Sequence, residues 1–188
     1  MNTLPQTSPP YITDTEYLMG EKIGTERHEY VDGQVYLMAG ASKRHNRIAR
    51  NFINGLSDAA DDKGCEIYFS DIKVKVEKYK AYYYPDVVIS CEDNEDDYYL
   101  TKPCVIIEVA SDSTIRKDYL EKSLAYQSIP SLQAYLIVAQ DKMQVDILIR
   151  DANNEWQLRK LDKPEESIYF PCLDKHLNIN EVYQHVFG

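Results

Sequence analysis

No stretch of this 188-residue chain is apolar over the ~20 residues a helix needs to cross a bilayer. The segment from Met1 to Pro10 is polar and proline-rich, and it lacks both the charged and the apolar region of a signal peptide. A soluble cytoplasmic protein without membrane spans is expected. Cysteine is sparse: Cys65, Cys91, Cys104 and Cys172 stand far apart without the paired spacing of a metal site, and two of them border apolar strands. Buried free thiols are therefore expected. Signals for base reading are missing as well, with no helix-turn-helix pattern, no zinc-finger spacing and no long basic helix. No internal repeat occurs.

Positive charge is in short supply, with 21 Lys and Arg against 31 Asp and Glu and a formal net charge of −10. Binding to a polyanion would then depend on local clusters, because net charge does not set local potential. Two clusters exist: Lys43, Arg44, Arg47 and Arg50, and the alternating Lys73, Lys75, Lys78 and Lys80. The second reads either as an ordinary wet strand face or as a phosphate track. Glu92 to Asp97 is a dense acidic run, read as a solvated loop.

What the chain does contain is one domain's worth of ordinary globular composition, 44% apolar and 28% charged. Residues 1–12 read as a flexible tail and 13–188 as a single domain. Thr13 to Glu16 has capping-box spacing and predicts a helix to about Gly24. Asp32-Gly33 between two apolar runs predicts a tight hairpin. Ser42 can cap a longer helix in which Ile48, Phe52 and Leu56 recur every fourth residue.

Strands are expected at 65–76, 82–90 and 105–109, then a helix from about Thr114 to Ser128, strands at 134–139 and 143–150, a strand near 156–161 and a terminal helix near 180–187. Pro85 marks a strand edge, start or bulge. The strand–helix–strand order across 105–139 implies a parallel crossover. The fold class is mixed α/β (α+β).

Asp86 and Glu108 sit at the edges of the apolar runs Val87-Val88-Ile89 and Val105-Ile106-Ile107, where an ionised carboxylate is costly unless compensated. Two acids from neighbouring strands can hold Mg2+ or Mn2+, with water and a substrate phosphate completing an oxygen shell. A lysine such as Lys122 on the following helix could orient the attacking water or stabilise charge building on phosphorus. Ordinary structural roles also fit: Asp86 as a turn or cap residue, Glu108 paired with a core Lys or Arg, Lys122 in an i,i+4 pair with Asp118.

Glu29-Tyr-Val-Asp-Gly-Gln-Val35, Gly40-Ala-Ser42 with His45 close behind, Pro85-Asp86-Val-Val, Ile107-Glu108-Val-Ala-Ser, Ser113-Thr114, Asp118, Lys122, Tyr126 and Ala134 to Val138 appear in that order. Together they resemble the Uma family of restriction endonuclease-like proteins over nearly all of 13–150. The resemblance implies the PD-(D/E)xK nuclease fold, a mixed sheet flanked by helices, with Asp86 and Glu108 as metal ligands. In the parent motif a lysine follows the second acid after one residue; here that position is Ala110, and Lys122 fills the place of a lysine moved to the helix. Glu29 and His45 match two further family positions, as supporting residues. The implied function is metal-dependent endonuclease action on DNA, in a homodimer that cuts both strands. A nuclease-fold protein that binds nucleic acid or protein without cutting, or a phosphodiesterase acting on a small ligand, are the other readings.

Overall fold

The computed structural model describes residues 10–93, 96–111 and 114–187. Helix α1 (Asp14–Ile23) starts at Thr13, whose side chain and that of Glu16 satisfy each other's backbone amides in a reciprocal capping box. Strands β1 (His28–Val31) and β2 (Gln34–Leu37) form the expected hairpin. Its turn places Asp32 at φ 40° and Gly33 at φ 90°, the left-handed region that an Asp-Gly pair tolerates best. Residues 11 and 12 lie on this hairpin, with the Ile12 amide donating to the Gly33 carbonyl and the Tyr30 hydroxyl to the Ile12 carbonyl.

Helix α2 (Lys43–Lys63) is capped by Ser42 and stopped by left-handed Gly64. It buries Ile48, Phe52, Leu56 and Ala60, one stripe at four-residue spacing. The 65–76 region is not one strand but two, β3 (Glu66–Phe69) and β4 (Lys73–Val76), parted by a corner in which Ser70 has φ 56°. Likewise 82–90 divides into β5 (Ala81–Tyr83) and β6 (Val87–Ser90), with Tyr84-Pro85-Asp86 between them. Pro85 has no amide to give a ladder, so the chain leaves one sheet and enters the other there.

The remaining strands are β7 (Tyr99–Leu100), β8 (Val105–Ala110), β9 (Ala134–Ala139), β10 (Val145–Arg150), β11 (Trp156–Leu161), β12 (Ser167–Phe170) and β13 (Lys175–Asn178). A five-stranded sheet runs β2-β1-β5-β4-β7, a six-stranded sheet runs β11-β10-β9-β8-β6-β3, and β12-β13 stand as a hairpin. β8 and β9 pair in parallel, as the crossover requires. The sequence pattern did not separate β12 and β13 from their surroundings. It also placed a terminal helix near 180–187, where the chain makes only the short helix Ile179–Val182 followed by turns. No helix among the described residues is long and apolar enough to cross a membrane.

Two cores lie on opposite faces of the six-stranded sheet. Val87, Ile89, Val105, Ile107 and Val109 face α2 and the C-terminal segments. Val88, Ile106 and Ala110 face the five-stranded sheet and a ring of buried tyrosines that includes Tyr83, Tyr126 and Tyr135. Side chains alternate along a strand, so Asp86 and Glu108 belong to the second face.

The cysteine expectation is overturned. Cys65 is bonded to Cys91 and Cys104 to Cys172, because the topology gathers residues that the sequence spaces widely.

Gly33 faces the ring of Tyr11, so a methyl group there meets both an unfavourable φ and an occupied space. Gly33→Ala is expected to lower stability by about 1–2 kcal/mol, read as a lower urea midpoint with an unchanged slope.

Candidate active site

The register of β6 on β8 brings the acids together. Val87 lies opposite Ile107 in an antiparallel pair, so the next step along places Asp86 beside Glu108. The Asp86 Oδ2 accepts the Val109 amide at 2.6 Å, tying the acid to the strand that carries its neighbour. Its Oδ1 meets His45 Nε2 at 2.8 Å, from the first turn of α2.

The helix of residues 115–127 supplies the cation. Ile115–Lys117 and Ser123–Gln127 are α-helical, and Asp118–Lys122 forms a wider π turn between them. An α-helix drifts by about 40° every four residues; a widened turn removes part of that drift. Asp118, Lys122 and Tyr126 therefore all point into the protein and are buried, while Leu120 and Leu124 are 57% and 62% exposed. This helix turns its polar side inward.

Lys122 Nζ lies 2.9 Å from Glu108 Oε1, 2.9 Å from Glu29 Oε1 and 3.6 Å from Asp118 Oδ1. Tyr126 donates its hydroxyl to the same Glu108 oxygen at 3.0 Å. Lys117 closes the far side of Glu29 at 2.6 Å and lies over the rings of Tyr36 and Tyr83. All five sequence-predicted residues, Asp86, Glu108, Lys122, Glu29 and His45, line one cleft of about 470 Å³. The Lys122–Asp118 pair and the Lys122–Glu108 pair expected of a purely structural arrangement also form. Lys117 was not singled out by the sequence reading. Only the hairpin, which sets Glu29 against the helix, gives it a role.

The acids differ in how well they are compensated. Burial opposes ionisation of Glu29, yet Lys122 and Lys117 hold its carboxyl below the usual range. Glu108 is pushed well above that range, first by burial and then by Asp118, Asp86 and Glu29, with Lys122 only partly offsetting them. Asp118 is raised by burial, and its Oδ1 accepts no hydrogen bond among the described residues. The cleft is lined by four carboxylates, Glu29, Asp86, Glu108 and Asp118, against the two ammonium groups of Lys117 and Lys122.

A hard divalent cation fits such an oxygen-rich, cation-poor set. Among the described residues, no three carboxylate or histidine ligand atoms lie within 4.8 Å of one another. The fit is therefore to an ion held by one or two carboxylates and completed by water and phosphate oxygens, as is usual for Mg2+. Ala110, where the parent motif has its lysine, is a buried small residue.

Several members of the basic clusters pack against aromatic rings or backbone carbonyls, although Lys43, Arg44, Arg47 and Arg50 stay exposed. Arg44 lies over the ring of Phe187, and Arg47 donates to the His185 carbonyl. Lys73 is buried and donates to the Tyr84 hydroxyl at 3.3 Å, while Lys75 lies over Tyr82 and Tyr99. The wet-face reading of Lys73 is corrected as well: β4 is an inner strand, paired on both sides.

Residues 16–180 match a family described as "Uma2: Putative restriction endonuclease". The chain belongs to this family. Among its relatives is the "Uncharacterized protein slr1290" of Synechocystis, 34% identical over 149 residues and covering 78% of each chain. A second from the same organism, "Uncharacterized protein sll1609", is 32% identical over 163 residues, 85% of this chain and 92% of that one. A crystal structure described as "a putative nuclease belonging to DUF820", from Anabaena variabilis, superposes with a TM-score of 0.72 at 15% identity, over 94% of this chain and 99% of that one. The Uma2 fold here is restriction endonuclease-like, as its sequence motifs imply.

The asymmetry between the acids gives opposite expectations for two matched substitutions in chelator. Glu29→Gln removes a carboxylate stabilised in the folded state and is expected to cost roughly 1.5–3 kcal/mol at neutral pH, the worth of hydrogen bonds to charged groups. That contribution is present above the unfolded carboxyl pKa and fades as pH falls through the lower folded value. Glu108→Gln removes a group whose folded pKa is raised, so stability at neutral pH is expected to rise. The gain should vanish as pH drops below the unfolded value of about 4.3. Urea denaturation of both variants between pH 4 and 8 reads the two signs.

Proposed function

We propose that this Uma2 protein is a metal-dependent endonuclease that hydrolyses DNA phosphodiester bonds. The observation that carries the reading is the set of buried acids left short of positive charge beside one fully buried lysine. Asp86 and Glu108 would hold Mg2+ or Mn2+. When bound, the ion supplies a more acidic water and offsets charge on phosphorus.

The chain's own groups do the rest. His45 and the Val109 amide fix both oxygens of Asp86. Tyr126 fixes Glu108, and Glu29, itself held by Lys117, anchors Lys122. Lys122 Nζ, held among Glu29, Glu108 and Asp118, is the group that would present a proton to an attacking water or a non-bridging phosphate oxygen. Cutting both strands requires two such sites, so a homodimer belongs to the same proposal.

A second reading has one observation in its favour: a cleft of about 470 Å³ is the size of a small-ligand site. A compact phosphodiester would fit it without a long basic track.

Manganese titration by calorimetry, paired with plasmid nicking, tests the proposal. Wild type is expected to bind the ion and nick DNA. Asp86→Ala and Glu108→Ala should lose both, and Lys122→Met should lose on the order of 10²-fold or more in cleavage while still binding manganese. His45→Ala should lose about 10–100-fold, as for a residue that orients a ligand. Nicking that survives in chelator, or in Asp86→Ala, overturns the assignment. Ion binding without nicking, together with turnover of a small phosphodiester, selects the second reading.

A further inference from the structure

All four cysteines of the chain gather at one end of the six-stranded sheet, beside the ends of β3, β6 and β8. Cys65 follows the end of α2, Cys91 follows β6, Cys104 precedes β8, and Cys172 lies in the turn between β12 and β13. Besides the two bonded pairs, Cys91 Sγ lies 3.6 Å from Cys104 Sγ. The sulfurs of Cys91, Cys104 and Cys172 all fall within 4.8 Å of one another, and Cys65 is tied to this trio through its bond to Cys91. A tetrahedral zinc–thiolate centre with bonds of ~2.3 Å has sulfur–sulfur edges of ~3.8 Å.

We propose that, in its reduced state, this cluster is a four-thiolate site for a single soft divalent ion, zinc by its chemistry. Softness favours the assignment, since thiolates select zinc over the hard cations that suit carboxylates. Burial favours it too: Cys65 and Cys104 are inaccessible, Cys172 is half-buried and Cys91 is exposed, which gives a dry centre with one open side for entry. The ion would clamp the β12–β13 hairpin to the ends of β3, β6 and β8. Cys91 lies five residues along the chain from Asp86, about 17 Å in extended chain at ~3.4 Å per residue, so the two sites are separate.

The balance is simple. Two equivalents of a dithiol reductant deliver four electrons and four protons to the two disulfides, giving four thiols and two oxidised reductant molecules. Zinc binding then releases the four thiol protons.

Cobalt tests this, because a thiolate–cobalt charge-transfer band reports sulfur ligation and the carboxylate cleft cannot produce it. Full-length protein, reduced and held under argon, is expected to develop that band to saturation at one equivalent of Co2+ and to lose it on adding Zn2+. Zinc should also raise the melting temperature of the reduced protein. Cys91→Ser, at an exposed position, and Cys172→Ser are each expected to weaken zinc retention by tenfold or more with an unchanged far-ultraviolet spectrum. Asp86→Ala should keep the band intact, so failure of the nuclease reading leaves this result standing. The proposal is overturned if the reduced wild type gives no charge-transfer band. It is also overturned if Cys91→Ser and Cys172→Ser both retain zinc like wild type, or if the disulfides re-form in a glutathione buffer of cytosolic poise with zinc present.

Discussion

The arrangement turns on one buried ammonium group. Lys122 stands where three carboxylates converge, and each of those carboxylates arrives on a different element: Glu29 on the first hairpin, Glu108 on the central strand, Asp118 on the same helix one turn earlier. Neither the lysine nor the acids could be buried alone, since an unpaired charge in an apolar interior costs several kcal/mol. Their mutual need fixes the helix against both sheets in one rotation. It also accounts for the exposed leucines on the outer face: the helix is anchored by its charged side, and burial of Leu120 and Leu124 is not what holds it.

Around that group the tyrosines form a second layer that is neither apolar core nor surface. Tyr83, Tyr126 and Tyr135 are fully buried and packed edge to face. Their hydroxyls go to Glu121, Glu108 and the Asp118 carbonyl. Burial and the neighbouring carboxylates push the Tyr126 and Tyr135 hydroxyls far above their ordinary range, so both remain donors at any working pH. A phenolic ring brings large apolar area and one donor at its tip, which is what a sheet face needs where it changes from core to charged cleft.

How much of this was legible depended on whether the signal was local. The Asp32-Gly33 turn, the α2 stripe and the unbroken 105–109 run are dictated by backbone sterics and periodicity within a few residues, and each appears where the sequence placed it. The acids at 86 and 108 were legible as polar residues at the ends of apolar runs. What no local pattern could reveal was pairing between distant segments. Ser70 and Pro85 look like ordinary loop residues, yet they are the corners at which the chain changes sheets, and they divide two apparent strands into four. Lys73 looked solvated because it alternates with valines; only the second sheet, which puts Tyr84 and an inner position around it, buries it. The cysteines were misread for the same reason, since spacing along the chain carries no information about spacing across a sheet edge.

On the endonuclease reading proposed above, net acidity and a phosphate-bearing substrate are compatible once the location of charge is considered. The lysines and arginines that might have formed a basic surface are partly committed to packing, over Phe187, Tyr82, Tyr84 and Tyr99. The α2 basic residues remain exposed, and the cleft is a second place where charge is gathered. There the chain holds more negative charge than its two lysines balance, and the excess falls on Glu108, the least compensated acid. On that reading, a divalent cation entering the cleft would meet carboxylates whose desolvation has already occurred during folding, so the reorganisation cost at binding would be small. The same ion would add positive charge at the place where a phosphate would be cut. An acidic protein would in this way approach phosphate through the bound ion, at the cost of a metal-free state in which burial and neighbouring carboxylates hold Glu108 away from its preferred ionisation.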